Sequence, residues 1–205
     1  MGVATQGERR AETRQRLLMA AAELFAERGV DATSIDAIAE RADRTSGALY
    51  AHFGGKDGVL LALLDTWVEE LGAVIGAELT TATTLDERLA VLWRNVSAPV
   101  VAGDRWITLE LELWTHAARS PDVRKHLNRR YRGAWRGIVQ VAGEPGLDGA
   151  SSGEPTAADV GPAVIGVLLG LELMRRVDPS TVTDALAVAS LRGVIEGVSR
   201  GVSSM

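Results

Sequence analysis

Thr33, Ser34, Thr45 and Ser46 form two pairs of short hydroxyls, each directly ahead of a run with helical spacing. A hydroxyl at the start of a helix stands among free backbone N–H groups, and such an end suits a phosphate oxygen. Gly47 lets the second of these helices approach a ligand with no side chain in the way. Ala48 offers only a methyl, fit to touch a thymine methyl. Arg44, Thr45, Ser46, Ala48 and Tyr50 are the residues placed to read base edges. The chemistry on offer is recognition through hydrogen bonds and charge, with no bond broken.

The elements that position these groups run from Thr33 to Phe53, TSIDAIAERADRTSGALYAHF. Ile35, Ile38, Ala39 and Ala42 make one apolar helix face, with Asp36 in the first turn, where a carboxylate suits the positive helix end. Asp43-Arg44 makes the turn, Thr45 caps the next helix, and Leu49 and Phe53 point back inside. Two short helices joined in this way have the layout of a helix-turn-helix, which places its second helix in the major groove of DNA. Taken singly, Tyr50 reads as a half-buried core tyrosine, His52 as a surface histidine, and Thr33 and Thr45 as plain caps. Their occurrence together in one short unit favours the DNA reading.

Upstream, Leu17, Ala21, Leu24 and Phe25 mark a helix that stops at Arg28-Gly29, a glycine suited to a left-handed cap. Arg9, Arg10, Arg14 and Arg16 precede that face, and a solvated arm is the alternative reading of this stretch. Downstream, helices are expected over about 56–79, 84–98, 104–118, 121–143, 157–177 and 180–199, with a Gly, Pro and Ser-rich loop over 144–156. No strand is expected. The fold class is all-α, about nine helices in two domains. A three-helix DNA-binding domain covers 1–55, with an arm over 1–8, and a larger helical domain covers 56–205.

All five tryptophans lie in the larger domain. Ligand pockets are mostly apolar and aromatic with a few placed polar groups. Trp67, Trp93, Trp106, Trp114 and Trp135, with Leu113 and the carboxylate of Glu110, are therefore candidate ligand contacts. The alternative makes the tryptophans core and pairs Glu110 with an arginine. Glu112, two residues on, cannot share its face. Val164, Leu168, Leu171, Val188, Leu191 and Ile195 make the last two helices too apolar for one small chain to cover, so they are candidate dimer contacts. Gly166-x-x-x-Gly170 and Gly193-x-x-x-Gly197 would permit close helix approach.

Composition narrows the alternatives. There is no cysteine, which excludes disulfides, thiol catalysis and Cys-ligated zinc. His116 and His126 are too isolated to argue a metal site, and no cofactor is expected. No apolar run reaches membrane-spanning length, and the first residues lack a signal-peptide core, so a cytoplasmic protein is expected. The formal net charge of −5 argues against indiscriminate polyanion binding, yet residues 1–56 carry eight basic and eight acidic side chains. DNA binding depends on the field of one face. Gly54-Gly55-Lys56 lacks the spacing and the preceding strand of a phosphate loop, and no hydrolase, zinc-protease or dinucleotide motif occurs. An enzyme is not expected. The other readings are a helical interaction module, or an unrecognised enzyme, with degenerate DNA binding.

The stretch RLLMAAAELFAERGVDATSIDAIAERADRTSGALYAHFGGKDGVLLALL resembles the N-terminal domain of TetR-family transcriptional regulators. The likeness lies in AA-x-x-LF-x-x-x-G, T-S-x-x-x-IA, G-x-LY-x-HF-x-x-K and the following LL. It implies an all-helical homodimer joined by its last two helices as a four-helix bundle. It also implies a repressor that leaves a palindromic DNA operator when its larger domain binds a small molecule, here a mostly apolar one. By the same resemblance Tyr50, His52 and Lys56 contact phosphates. One departure stands out, for the family turn A-G-V-S is Ala42-Asp43-Arg44-Thr45 here. Aspartate tolerates the left-handed conformation that glycine normally supplies, and Arg44 is free to snorkel toward a phosphate.

Overall fold

Thr5 caps the first helix. The Thr5 hydroxyl accepts the Glu8 N–H while the Glu8 carboxylate accepts that of Thr5, a reciprocal box that starts a helix firmly. The helix α1 (Gln6–Arg28) therefore takes in the basic stretch expected to be an arm or solvated tail. The computed structural model describes residues 5–97, 105–142 and 157–203. The expected loop over 144–156 lies outside the described residues.

Eight further helices follow among the described residues: α2 (Ile35–Arg41), α3 (Ser46–Phe53), α4 (Lys56–Leu79), α5 (Leu85–Ser97), α6 (Arg105–Arg119), α7 (Pro121–Ala142), α8 (Ala157–Val177) and α9 (Asp184–Ser203). No strand occurs among the described residues, and the all-α expectation holds. The last helix is displaced, α9 running over Asp184–Ser203 where 180–199 was expected. Asp178 accepts from the Ser180 N–H and hydroxyl, closing a turn, and Thr183 is the cap, its hydroxyl accepting the Leu186 N–H.

The chain packs as two units, Met1–Glu69 with Asp104–Leu127, and Glu70–Gly103 with Asn128–Met205. In the first, Leu17, Leu24 and Phe25 of α1 are buried with Ile38 of α2 and Leu49 of α3. Val59, Leu60, Leu63 and Leu64 of α4 and Ile107, Leu109 and Leu113 of α6 are buried in the same unit. The helix-turn-helix thus shares its unit with α6, a helix assigned to the larger domain on sequence grounds. In the second unit α8 packs on α9 and both pack on α5. Trp93, Val164, Leu168, Leu191 and Ile195 are buried there.

That burial corrects part of the dimer reading. Val164 and Leu191 are fully covered, and Leu168 and Ile195 nearly so, by their own chain. Only Leu171 and Val188 retain partial exposure. The periodicity was that of a core seam between α8, α9 and α5. Gly161 sets the spacing of α8, since an added Cβ would overlap the Trp135 Cβ and lie 2.7 Å from its Cα.

Candidate nucleic-acid interface

The turn between α2 and α3 is a Schellman motif. The Arg44 N–H donates to the Ala39 carbonyl at 2.8 Å and the Asp43 N–H to that of Glu40 at 3.0 Å. Asp43 sits at φ 54°, the left-handed position that its sequence context required. Left-handed backbone costs an L-residue roughly 1–2 kcal/mol, less for aspartate than for a branched side chain. Asp43→Val should lower thermal stability by about 1–2 kcal/mol while Asp43→Gly leaves it equal or higher, as urea titration would show.

Beyond the turn, Thr45 caps α3, its hydroxyl accepting the Ala48 N–H at 3.2 Å. Ser34 does the same for α2 through the Ala37 N–H at 3.1 Å. Leu49 is fully buried and anchors α3. Thr45, Gly47, Tyr50 and Ala51 face solvent, and Tyr50 is 55% exposed. Ser46 donates its hydroxyl to Asp36, tying α3 to α2. Ala48 and His52 are half-buried. Burial, and then the charges of Arg10 and Arg14, lower the His52 imidazole below its ordinary value.

Three residues read as DNA contacts have other work in the structure. Thr33 is buried, its hydroxyl 2.8 Å from the Gly29 carbonyl and 3.3 Å from that of Leu24, so it closes the α1–α2 connection. Lys56 donates from Nζ to the carbonyls of Val30, Thr33 and Asp31 at 2.8, 3.1 and 3.3 Å. An ammonium has three donors, so this lysine straps the same connection to the start of α4 and has none left for a phosphate. Arg44 folds back on α1, its Nη1 donating to the Asp43 carbonyl at 2.6 Å, with Thr13 and Glu12 beside it. The snorkelling expected of Arg44 therefore ends on protein groups.

Sequence reasoning missed what holds this connection from the other side. Glu112 of α6 accepts the Val30 N–H at 3.4 Å, with an oxygen 3.2 Å from where a Gly29 Cβ would stand. His116 Nε2 lies 3.0 Å from Asp57 and its Nδ1 3.8 Å from Asp31. Arg119 reaches the other oxygen of Asp31 at 2.5 Å. Gly29 has a positive φ of 80° but an extended ψ of 161°, so it is not the left-handed cap expected.

The ligand candidates fare unevenly. Trp93 is 1% exposed and donates Nε1–H to Asp184 at 2.7 Å, which makes it core of the second unit. Trp114 is 40% exposed on α6, which does not suit a pocket wall. Trp106 is half-buried, with Glu110 and Leu113 buried on the same helix. Trp67 belongs to the first unit and Trp135, stacked on Tyr131, to the second; both are half-buried. Among the described residues no His, Cys, Asp or Glu cluster could hold a metal ion, and no helix is long and apolar enough to cross a membrane.

Residues 17–63 match the profile of the bacterial regulatory proteins of the tetR family. Over 80 residues the chain is 40% identical to the HTH-type transcriptional activator FasR of Mycolicibacterium smegmatis, covering 39% of this chain and 36% of that protein. Across the first curated relatives it matches, the chain spans 25–40% of their length. The fold extends further. A transcriptional regulator from Rhodococcus sp. RHA1 superposes with a TM-score of 0.69 over 92% of this chain and 96% of that one, at 23% identity. A Saccharomonospora viridis protein solved in complex with choline superposes with a TM-score of 0.65 over 91% and 96%, at 24% identity.

Proposed function

We propose, from the match of residues 17–63 to the tetR family of bacterial regulatory proteins, that the chain is a sequence-specific DNA-binding transcriptional regulator, a repressor that leaves a palindromic operator when a small molecule binds. The observation that carries this reading is α3 itself. It is anchored by one fully buried leucine, and it presents Thr45, Gly47 and Tyr50 to solvent on a turn tied into α2. Thr45, Ser46, Gly47, Ala48 and Tyr50 are the proposed groove contacts, with Ser34 and His52 toward the backbone. Residues 1–55 are the DNA-binding part and 56–205 the effector and dimerisation part.

Two stripes on α6 offer a route for the effector signal. Trp106, Glu110 and Leu113 recur at helical spacing and are the proposed effector contacts, as bound choline in the S. viridis protein makes a small-molecule site reasonable for this fold. Trp67 and Trp135 remain candidates within their own units. Glu112, His116 and Arg119 form the second stripe, which holds the connection ahead of α2. A ligand that shifts α6 would pull on this connection. It releases DNA only to the extent that it prefers the conformation with the wrong half-site spacing.

The test is selection of duplexes from a random pool by the purified protein. The expected product is a palindrome with half-sites about one turn, roughly 34–36 Å, apart or slightly more. A Cβ added at Gly47 would meet only the Thr45 hydroxyl, at 3.8 Å, so Gly47→Glu leaves the fold intact. It sets a carboxylate against the DNA, where like charges cost several kcal/mol, and affinity for the selected duplex should fall by roughly 100-fold or more. Unchanged affinity in Gly47→Glu would remove α3 from the interface.

A further inference from the structure

The first half of α1 carries a charge pattern that the helix-turn-helix reading does not use. Arg10 and Arg14 stand one turn apart on one face of α1, both exposed. Arg14 lies over the ring of Phe53, the last residue of α3, with its Cζ 5.5 Å from the centroid. Both guanidinium charges act on His52, the residue before it. The acids nearby are engaged elsewhere. Glu8 is held in the capping box with Thr5, and Glu12 faces Arg16 at 2.8 Å and Arg44 at 3.7 Å. Among the described residues no ion pair neutralises Arg10 or Arg14. Two uncompensated guanidinium groups therefore stand at the C-terminal end of the helix proposed to enter the groove.

We infer that Arg10 and Arg14 are a second DNA-contact element, gripping backbone phosphates beside the C-terminal end of α3. The inference rests on the DNA-binding reading above and widens its footprint. The ligand chemistry follows from the donors. Guanidinium forks match phosphate oxygens, and stacking on an aromatic ring is a habit of arginine. Arg14 is held by the Phe53 ring, and both residues ride on a helix already started by its capping box, so little freedom is lost on contact. Spacing supports a pair of contacts, since four helical residues rise about 6 Å. Such contacts position the protein and carry no sequence information. The net acidic chain thus presents a local positive edge where the duplex would lie.

The experiment compares wild type with Arg10→Gln/Arg14→Gln and Arg10→Lys/Arg14→Lys. The probes are the duplex selected by the wild-type protein and a mixed-sequence 30-bp duplex, titrated across salt. Each phosphate contact contributes about 0.9 to the log–log salt slope, so losing four per dimer lowers it by roughly 3.6. The Gln pair should lose that slope on both duplexes alike and keep the affinity ratio between them. The Lys pair, which retains the charges, should keep most of it. In ethylation interference, phosphates that block wild type should no longer matter to the Gln pair, which also reads out the contact directly. A Gln pair with the wild-type slope overturns the inference. So does a Lys pair as weak as the Gln pair, because the arginines would then serve only to pack on Phe53. If wild type binds neither duplex at 50 mM salt, the DNA-binding reading itself falls, and this inference with it.

Discussion

Gly58→Ala is expected to collapse the helix-turn-helix unit, while the same change at Gly72 or Gly76, farther along the same helix, is expected to stabilise the chain. A Cβ built at Gly58 would overlap the Phe53 carbonyl oxygen and stand 2.9 Å from its carbonyl carbon. Both are backbone atoms at the end of α3, with no side chain to swing aside. Gly54 at φ 74° and Gly55 at φ 145° make the corner that brings α4 against them. Overpacking a core costs typically 1–3 kcal/mol when side chains can yield, and here α3 must move instead. A loss of roughly 3 kcal/mol or more follows, with operator binding lost at temperatures where the rest of the chain remains helical. At Gly72 and Gly76 an added Cβ meets nothing within 4 Å. There the helix preference of alanine over glycine adds about 1 kcal/mol. Urea unfolding followed by circular dichroism separates the two outcomes, and a Gly58→Ala protein as stable as wild type would mean that α3 and α4 do not meet as closely as described.

The sequence carried local information well and long-range information poorly. Caps at Thr5, Ser34, Thr45 and Thr183 are side-chain to backbone bonds over three residues. Ser34 and Thr45 are legible as caps, Thr5 is not, because the basic stretch after it has no apolar spacing to signal a helix, and Thr183 is obscured by Ser180, a rival cap. The left-handed Asp43 was legible from the turn alone. Lys56 was not, because its carbonyl partners lie 23 to 26 residues away and a lysine after a recognition helix looks like a phosphate contact. The α6 stripe of Glu112, His116 and Arg119 was less visible still, with partners 59 to 88 residues distant. The apolar positions of α8 and α9 were found, but periodicity reports that a face is buried without saying whether a sister helix or a second chain covers it. Here the residues that stand outside mix small ones, Gly166, Gly170, Ala189, Gly193 and Gly197, with Met174, Val177 and Leu186.

That distinction sets the last expected result. The outward face of α9 is Leu186, Ala189, Gly193 and Gly197, and that of α8 includes Pro162, Gly166, Gly170, Met174 and Val177. Leu186 is 46% exposed, Met174 55% and Val177 82%. If the dimer forms on these faces, Leu191→Glu is the wrong probe, for it would bury a charge inside the single chain. Gly193→Arg is the right one. A Cβ there meets nothing within 4 Å, so the single chain folds unchanged. In a two-fold interface the same substitution brings two cations to matching positions and strips both of water, which costs several kcal/mol per ion. Sedimentation should show wild type at twice the 21.7 kDa chain mass and the variant at once that mass. Affinity for a palindromic duplex should drop by about 10²–10⁴, because the second half-site is no longer held at high effective concentration. Affinity for an isolated half-site should stay where it was. A Gly193→Arg protein that remains dimeric would move the interface off α9, and one that splits yet keeps full palindrome affinity would remove the dimer from the mechanism of operator recognition.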